Sequence, residues 1–557
     1  MRERITVAEI VGRVLAAEGA AHVFGVVGSG NLRMTNELIR QQVPFTATRH
    51  EMGATAMADA YARVSERLTV VTLHQGCGFS NALTAVAEAA KAHTPVLVLT
   101  GDTASGDLGS NFYVDQDAAA EAMGAKAFRV YSAKSAARDT ARAVAAAVDG
   151  RQTVVLSVPV DIQEEKTDFD VENISRGRTV TRVSPDPRAL EAVVDVLEHA
   201  ARPVLVAGRG AKHSRDEILR LGELCGGLLV TSAGARGLFA GEEWALDIMG
   251  GFSTPGAADL IASADVIVVF GAALNRWTAR DGVLLQDAFV VQIDDRPAAI
   301  GLHRDVDLSL IGDTSLAAAD LVRILRGRGV RHTGFRTDDV RERVERDRYW
   351  KDQPFAERDD AGCIDPRVLT NYLDDLLPLE RVVVPDGGNA NCYPAANLRV
   401  PDERGYCLPF CFQAIGLGLS ACIGAALAEP GRLPVVGTGD GSFMMGVSEL
   451  DTAVRLGLGM MIIVYNDSAY GAEIIHFAAD GDDFDLVRFP ETDIAAVARG
   501  FGCDAITVRR REDLEAATDW LEGPRSRPLV IDAKIATFPS WNMRRMYGDV
   551  EVPAPTR

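Results

Sequence analysis

The segment from Gly439 to Asp467 constrains the fold more than any other stretch of the sequence. A Gly-Asp-Gly turn follows an apolar run, Leu433–Gly437, and a second apolar run, Met460–Tyr465, ends in an Asn-Asp pair. A short amphipathic stretch separates the two runs, so the pattern predicts a strand, a turn, a helix and a second strand. Both polar ends would then lie at the carboxyl edge of a parallel sheet, where open α/β sheets bind ligands.

Asp440 in that turn and Asp467 after the second run place two carboxylates at the same edge. Mg²⁺ in proteins is usually held by one or two carboxylates together with the phosphates of a ligand. The glycines on either side of Asp440 allow the main chain to approach a phosphate closely. The segment therefore predicts a cation site that also binds phosphate, although a Gly-Asp-Gly turn alone also occurs at strand ends that bind no metal.

Strand candidates alternate with helical stretches along the whole chain of 557 residues, which is too long for one hydrophobic core. The alternation predicts an α/β protein with three doubly wound parallel-sheet domains, at residues 1–170, 185–335 and 360–545. The other apolar strand candidates are Val23–Val27, Thr69–Leu73, Val96–Thr100, Thr153–Val158, Pro203–Ala207, Leu228–Thr231, Val266–Phe270, Phe289–Ile293 and Val382–Pro385.

Polar stretches separate the three blocks. The acidic residues Glu164–Arg178 and the Pro-containing residues Ser184–Arg188 predict a linker between the first two blocks. The Arg-rich stretch Arg331–Gln353 predicts a second connector that contains a charged helix.

Composition and charge exclude several classes of partner. The net charge of −20 argues against binding of nucleic acid or of anionic membrane surfaces. No run approaches the roughly 20 apolar residues of a membrane span, and the charged N-terminal stretch does not resemble a signal peptide. The eight cysteines are scattered, without a CxxC pair or Cys/His ligand spacing, as expected in a reducing compartment. We therefore expect a cytoplasmic protein.

The motif in the third block resembles the cofactor signature of thiamine diphosphate enzymes. In that family a Gly-Asp-Gly turn is followed, at the end of the next strand, by an Asn-Asn pair. The resemblance implies that Asp440, Asp467 and the main-chain carbonyl of Ala469 hold Mg²⁺, which anchors the diphosphate of the cofactor. This chain has Asp467 where Asn is usual, and because Asp also offers an oxygen ligand, metal binding is still expected.

The resemblance extends over the whole chain, to the acetolactate synthase and 2-oxo acid decarboxylase superfamily. The enzymes of that superfamily have a pyrimidine-binding domain, a central domain and a diphosphate-binding domain, in that order. An independent match is the run RHEMGATAMADAYAR, in which Glu51 aligns with the glutamate that hydrogen-bonds pyrimidine N1′ in the family. That contact promotes loss of the C2 proton, and the cofactor carries the chemistry. A surface Glu at a helix start is the alternative, but the small residues from Gly53 to Ala60 favour a buried helix.

Two further stretches are similar to the diphosphate end of the family. Ile415 precedes a Gly-rich helix at the spacing where the family has a large apolar residue beneath the bent cofactor, although an ordinary core Ile is the alternative. The run DGGNA, after Val382–Pro385, resembles a second diphosphate cradle opposite the Gly-Asp-Gly turn. The cradle residues implied by the resemblance are Gly388, Asn389, Gly441 and Ser442.

Three residues would select the reaction. His74 matches the active-site His of benzoylformate decarboxylase-type enzymes, which can move protons, and its alternative role is to structure a Gly-rich loop. Gln116 matches a cofactor-facing Gln of acetolactate synthase-like enzymes, although a Gln there is often only a helix cap. Glu473 matches the catalytic Glu of pyruvate decarboxylase-like enzymes, whose paired histidines are absent here.

Other candidates carry weaker signals. The first strand–helix turn is expected to line the site through Ser29, Gly30 and Asn31. A substrate pocket could include His476, Phe477 and Trp541, for which a structural role is the favoured interpretation. The central block lacks GxGxxG and the RFDDR-type stretch of flavin-binding acetolactate synthases, so FAD is not expected.

The resemblance implies a thiamine diphosphate- and Mg²⁺-dependent enzyme that acts on a 2-oxo acid or an α-dicarbonyl through decarboxylation and an enamine intermediate. Gln116 and Ile415 favour an acetolactate synthase-like carboligase, whereas His74 and Glu473 favour a non-ligating decarboxylase or a C–C hydrolase. Since the family's site lies between subunits, Glu51 of one chain is expected to face the cation site of another in a homodimer or homotetramer. A non-catalytic binding protein is disfavoured, because Glu51 and the metal oxygens are all present.

Overall fold

The computed structural model describes residues 3–170, 181–358, 362–480 and 482–547 of the chain. These residues form three parallel sheets, of six, six and five strands, and one two-stranded antiparallel sheet. Helices alternate with strands throughout. The predicted fold class, α/β with three doubly wound parallel sheets, is confirmed.

The first unit contains eight strands and eight helices. Its strands are β1 (Glu3–Thr6), β2 (His22–Gly25), β3 (Phe45–Ala47), β4 (Thr69–Leu73), β5 (Val96–Asp102), β6 (Lys126–Arg129), β7 (Val154–Pro159) and β8 (Lys166–Phe169). Its helices are α1 (Val7–Ala17), α2 (Leu32–Arg40), α3 (Glu51–Ser65), α4 (Cys77–Asn81), α5 (Leu83–Lys91), α6 (Gln116–Ala122), α7 (Ala136–Val148) and α8 (Val160–Glu164). The sheet order is β3-β2-β4-β5-β7-β6, and β1 pairs antiparallel with β8. The strand connections diverge between β2 and β4, which creates a crevice at their carboxyl ends.

The central unit contains a second six-stranded sheet. Its strands are β9 (Pro203–Ala207), β10 (Leu228–Thr231), β11 (Ala245–Ile248), β12 (Val266–Phe270), β13 (Phe289–Asp294) and β14 (Leu308–Ile311). Its helices are α9 (Pro187–His199), α10 (Arg215–Cys225), α11 (Pro255–Ala262), α12 (Arg276–Ala279), α13 (Thr314–Gly327) and α14 (Asp338–Asp347). The sheet order is β11-β10-β9-β12-β13-β14.

The third unit contains the five-stranded sheet. Its strands are β15 (Arg381–Pro385), β16 (Leu433–Gly439), β17 (Met461–Asn466), β18 (Asp504–Val508) and β19 (Leu529–Lys534). Its helices are α15 (Pro366–Leu376), α16 (Cys392–Asn397), α17 (Gly418–Ala428), α18 (Asp440–Gly446), α19 (Leu450–Arg455), α20 (Gly471–Phe477), α21 (Ile494–Gly500), α22 (Glu515–Glu522) and α23 (Trp541–Tyr547). The order β15-β16-β17-β19-β18 places β16 beside β17 with their carboxyl ends at one edge.

The predicted strands are found, and their ends differ from the predictions by at most two residues. Four of them, β4, β9, β10 and β12, have the predicted bounds. Among the strands that the sequence did not reveal, β3, β6, β11, β14 and β18 lie at the edges of the parallel sheets, and β1 and β8 form the antiparallel pair. Nearly all residues of β6 and β18 are exposed or half-buried, so these strands lack the continuous apolar run of a buried parallel strand.

Strand β19 was missed for a different reason, since it lies inside the sheet and is fully buried. Its sequence contains Asp532 and Lys534, whose side chains form an ion pair of 3.0 Å. Asn466 also donates a hydrogen bond of 2.8 Å to Asp532. A buried charge is tolerated when it is paired in this way. The two charged residues interrupt the apolar run by which a buried strand is predicted from sequence.

The first predicted linker is wrong in its first half. Glu164 ends α8, and Lys166–Phe169 forms β8, which pairs with β1. Residues 171–178 of that linker lie outside the described residues. In the second connector the predicted charged helix is confirmed as α14.

The first and third units pack together through α3 and α17, whose side chains share one core cluster. The helices approach closely because a Cβ on Gly424 would collide with the main-chain carbonyl of Met57. Every residue of α3 from Gly53 to Ala62 is buried. The prediction of a buried, closely packed helix after Glu51 is therefore confirmed.

Membrane spans need about 20 consecutive apolar residues. Helix α3, with 15 residues, is the longest that the described ranges contain. No helix in those ranges is long and apolar enough to cross a bilayer.

Candidate functional site

The carboxyl edge of the third sheet brings together the two acidic residues that the sequence predicted there. Asp440 begins α18 directly after β16, and Asp467 follows β17. Their carboxyl groups lie within hydrogen-bonding reach of each other. Thr537, in the segment after β19, donates a hydrogen bond of 3.0 Å to Asp467 Oδ2. We call these three residues the cation edge.

Electrostatics at the cation edge favour a bound cation. Burial raises the pKa of Asp440 to about 6, and burial together with the charge of Asp440 raises the pKa of Asp467 to about 8. Two facing carboxyls of this kind either share a proton or bind a cation between them. A divalent cation fits this donor set.

The cation edge supplies only part of a coordination shell. Among the described residues, no group of three His, Cys, Asp or Glu side chains is arranged to hold a metal. Mg²⁺ commonly completes its shell with main-chain carbonyls, water and ligand phosphates. The carbonyl predicted for this role, that of Ala469, belongs to a turn in which Ser468 adopts a left-handed φ of 53° and Asn466 Oδ1 accepts the Ser468 N–H.

The turn that the sequence predicts to hold a phosphate lies at the end of β15, the strand that pairs with β16. Gly388 has a left-handed φ of 92°, and a Cβ there would meet nothing within 4 Å, so the turn is open on that side. Ile415 is half-buried, and its Cγ2 lies 2.7 Å from the position of a Cβ on Gly387. Ile415 therefore lies beside Gly387, in the turn that also contains Gly388.

The other predicted cradle residues contribute in different ways. The side chain of Asn389 donates to the carbonyl of Phe538 and accepts from the N–H of Ser540, at 3.0 Å each, so only its main chain faces the turn. A Cβ on Gly441 would collide with the ring of Tyr470, which explains the glycine after Asp440. Ser442 is buried in the first turn of α18.

A second cluster lies at the crevice of the first sheet. Glu51 is the first residue of α3, and its Oε2 accepts a hydrogen bond of 3.1 Å from Asn81 Nδ2. Gly78 lies between Glu51 and His74: a Cβ there would be 3.4 Å from Glu51 Oε1 and 3.0 Å from His74 Cβ. We call Glu51, His74 and Asn81 the Glu51 cluster.

The tautomer of His74 follows from its hydrogen bond. The N–H of Gly30 donates to His74 Nδ1 at 3.1 Å, so the neutral ring carries its proton on Nε2. Burial lowers the pKa of His74, and the charge of Glu51 offsets part of that effect. The ring of Phe112 packs edge-on against His74 at 5.1 Å. His74 therefore presents an N–H donor from Nε2.

The structure does not place Gln116 as a group that faces a cofactor. Its side chain is fully buried at the start of α6. Its Oε1 accepts the N–H of Gly76 at 2.9 Å, and its Nε2 donates to the carbonyl of Gly101 at 3.0 Å. The predicted catalytic role is corrected: Gln116 braces the loop that follows His74.

We expect Gln116→Ala to lower the free energy of unfolding by about 2 kcal/mol, because it leaves the buried N–H of Gly76 without its acceptor and removes one of the hydrogen bonds to the Gly101 carbonyl. Chemical denaturation of the purified variant measures this loss. The exposed Gln286 is the matched control, and Gln286→Ala should change stability by less than about 0.5 kcal/mol. Equal stability of the two variants would contradict the bracing role.

The remaining predicted residues are dispersed. Glu473 is exposed in the first turn of α20, and the rings of His476 and Phe477 contact each other in a tilted arrangement at its end. Trp541 stacks on Trp350 with ring centroids 4.3 Å apart, in agreement with a structural role.

In the first strand–helix turn, the side chain of Asn31 is fully buried and hydrogen-bonded to Gly28, Val26 and Thr72. Asn31 therefore holds the turn and does not line the site. Ser29 is exposed in the same turn, and Gly30 contacts His74 through its N–H.

The glycine turns of the central unit pack against each other. A Cβ on Gly208 would collide with the carbonyl of Gly271, and a Cβ on Gly210 would lie 3.0 Å from Gly271 Cα. These glycines therefore permit close approach of two main-chain segments. The expectation that no FAD binds there stays a prediction.

Sequence reasoning missed Asn81, Thr537 and Phe112. Thr537 follows a strand at the same sheet edge as Asp467, so a search for polar residues after every strand would have found it once β19 was known. Asn81, at the end of α4, and Phe112, in the loop before α6, reach their partners only through tertiary contacts, and no local pattern marks them. Within residues 3–170, 181–358, 362–480 and 482–547, no hydrogen bond or ion pair joins the Glu51 cluster to the cation edge.

The three doubly wound units and the two clusters at sheet edges define an α/β protein built to bind a cofactor. Three family models match the chain: the N-terminal TPP binding domain of thiamine pyrophosphate enzymes at residues 5–123, the central domain at 190–321 and the C-terminal TPP binding domain at 386–533. The chain belongs to the thiamine pyrophosphate (thiamine diphosphate) enzymes.

Curated relatives cover nearly the whole chain at low identity. A sulfoacetaldehyde acetyltransferase of Rhodobacter capsulatus is 28% identical over 92% of this chain and 91% of the relative. An acetolactate synthase large subunit of Parasynechococcus marenigrum is 27% identical over 94% of this chain and 86% of the relative. A sulfoacetaldehyde acetyltransferase of Castellaniella defragrans is 26% identical over 92% and 90%.

Proposed function

We propose that this thiamine diphosphate enzyme breaks the carbon–carbon bond next to the carbonyl of a 2-oxo acid or an α-dicarbonyl and joins the retained fragment to a second carbonyl. The observation that carries the proposal is the facing carboxyl pair of Asp440 and Asp467 at the carboxyl edge of the third sheet. We assign Mg²⁺ to this pair, with the carbonyl of Ala469 as a third ligand. The turn of Gly388, with Gly441 and Ser442, would hold the diphosphate.

The cofactor, when bound, supplies a nucleophilic carbon and accepts the electron pair released from the broken bond. Glu51 is assigned to the pyrimidine nitrogen, where Asn81 orients its carboxylate through the hydrogen bond at 3.1 Å. Ile415 is assigned to the support of the cofactor beside the Gly388 turn. His74 would donate a hydrogen bond from its Nε2–H to the substrate.

The names of the acetolactate synthase and sulfoacetaldehyde acetyltransferase relatives support carboligation. The first name describes the synthesis of a larger product, and the second describes the transfer of a group. Gln116 no longer supports carboligation, since its amide is occupied by main-chain groups. A second candidate is a non-ligating decarboxylase or a C–C hydrolase, which the Nε2–H donor of His74 favours. Glu473 remains a proposed catalytic residue for that second candidate.

Product analysis distinguishes these reactions. With pyruvate alone, Mg²⁺ and thiamine diphosphate, a carboligase forms acetolactate or acetoin together with CO₂, whereas a non-ligating decarboxylase releases acetaldehyde. A hydrolase converts an α-dicarbonyl to an acid without CO₂. We expect condensed products in a screen of 2-oxo acids, each assayed alone and with an added aldehyde. Turnover of none of these substrates would contradict the proposal.

We further propose a cytoplasmic homodimer or homotetramer whose sites combine the Glu51 cluster of one subunit with the cation edge of another. Exposed apolar side chains lie in the loop of Phe112, whose ring packs on His74, and on α18, which begins at Asp440, as expected at an interface. They are Leu108, Phe112, Tyr113, Met444 and Met445. We also propose that the pyrimidine-binding, central and diphosphate-binding domains comprise residues 1–170, 185–335 and 360–545.

A further inference from the structure

Glu449 contacts the start of the helix that carries Glu51, although almost 400 residues separate the two in sequence. Its Oε1 accepts the main-chain N–H groups of Arg49 at 3.0 Å and of His50 at 2.9 Å. Glu449 is 1% exposed, and its Oε2 accepts a hydrogen bond of 2.6 Å from Thr452. The carboxylate is therefore fixed on one side and binds two successive N–H groups on the other.

The surrounding segment reinforces this contact. Arg49 forms an ion pair of 2.6 Å with Asp451, and Arg455 donates to the carbonyl of Ala47 at 2.7 Å. A Cβ on Gly53, in the first turn of α3, would lie 2.6 Å from Glu449 Oε1. The third unit thus holds the chain between β3 and α3 from several directions, and Glu449 is the buried centre of these contacts.

We propose that Glu449 is a positioning residue that fixes the first turn of α3 and thereby the place of the Glu51 carboxylate. The inference rests on the proposed role of Glu51. His50 is the N-cap of α3 and Glu51 is the next residue, so a shift of the His50 N–H moves Glu51 with it. The rest of α3 is held by α17, and only its first turn depends on Glu449. A misplacement of about 1 Å can lower a rate by about 100-fold.

Hydrogen–deuterium exchange of the protein without cofactor tests the contact directly. In Glu449→Ala, amide exchange in the peptide that spans residues 46–53 should accelerate by about 10-fold or more, because the Arg49 and His50 N–H groups lose their acceptor. Glu449→Gln keeps an acceptor oxygen and should restore exchange to near the wild-type rate. An unchanged exchange rate in Glu449→Ala would overturn the contact.

Asp265 provides a matched control, because its carboxylate also accepts two successive main-chain N–H groups, those of Ala201 and Arg202, in the central unit. With cofactor and Mg²⁺ bound, Glu449→Ala should slow exchange of the cofactor's C2 proton by about 10- to 100-fold. Asp265→Ala should leave the C2 exchange rate unchanged, even if it lowers the melting temperature of the protein as much as Glu449→Ala does. Equal C2 exchange in both variants would overturn the positioning role.

Gly53→Ala is a second route to the same answer, and it applies if Glu449→Ala does not fold. Alanine normally favours a helix over glycine, but here its Cβ would displace the Glu449 carboxylate. We expect faster amide exchange in residues 46–53 and slower C2 exchange, and wild-type behaviour in both would contradict the inference. If wild-type protein itself showed no C2 exchange, the proposed function would fail, whereas the amide-exchange result would still judge the contact.

Discussion

The Glu51→Gln variant should bind thiamine diphosphate with an affinity close to that of the wild-type protein. Its C2 proton should exchange about 10²- to 10⁴-fold more slowly, because positioned acid–base groups accelerate proton transfer by that range. Glutamine keeps the shape of the side chain and an oxygen for Asn81, but it cannot share a proton with the pyrimidine nitrogen. Cofactor titration by calorimetry and C2 exchange followed by NMR after acid quenching give the two values.

Glu66 offers a control on the same helix, because it is the C-cap of α3 and its exposed side chain pairs with His213 at 2.7 Å. Glu66→Gln should leave both cofactor affinity and C2 exchange within about twofold of the wild type, as expected for an exposed ion pair. If Glu51→Gln exchanged the C2 proton as fast as Glu66→Gln, the assignment of Glu51 would be wrong.

The second large effect is expected at the cation edge. Asp440→Ala should weaken Mg²⁺-dependent binding of thiamine diphosphate by about 100-fold or more, since loss of even an outer-shell partner costs a metal site about 10- to 100-fold. Calorimetric titration with and without a chelator measures the change. Asp519→Ala, at an exposed position on α22, is the control and should bind as the wild type does.

Asp467→Asn addresses the position at which this chain departs from the usual family pattern. Asparagine keeps one oxygen ligand and removes the charge that faces Asp440, so we expect a loss of cofactor affinity of about 10-fold or less. Without Mg²⁺ the variant should melt at a higher temperature than the wild type at neutral pH, because two buried carboxyls no longer compete for one proton. A lower melting temperature under those conditions would contradict the close approach of the two carboxyls.

The sequence predicted those features that depend on local pattern and on strand order. Buried parallel strands such as β9 and β12 are continuous apolar runs, and their bounds follow from composition alone. Asp440 and Asp467 follow adjacent strands of the same sheet, so the convergence of their carboxyls could be inferred from topology. The buried helix after Glu51 was likewise marked by its small residues.

Features that depend on tertiary contact were not predictable. Gln116 was expected at the cofactor because its position in sequence matches a family pattern, but the direction of its amide is set by Gly76 and Gly101. Asn389 lies at the predicted turn, yet its side chain holds the C-terminal segment at Phe538 and Ser540. A sequence contains no local signal for a hydrogen bond between groups so far apart along the chain.

The central claim is that this chain binds thiamine diphosphate at Asp440 and Asp467 and uses Glu51 to activate it. The rate of C2 proton exchange of the cofactor bound to the wild-type protein with Mg²⁺ tests this claim most directly. We predict exchange at least about 100-fold faster than in the free cofactor under the same conditions, the lower end of the acceleration that a positioned acid–base group provides. Exchange no faster than in the free cofactor, with binding shown by calorimetry, would contradict the claim.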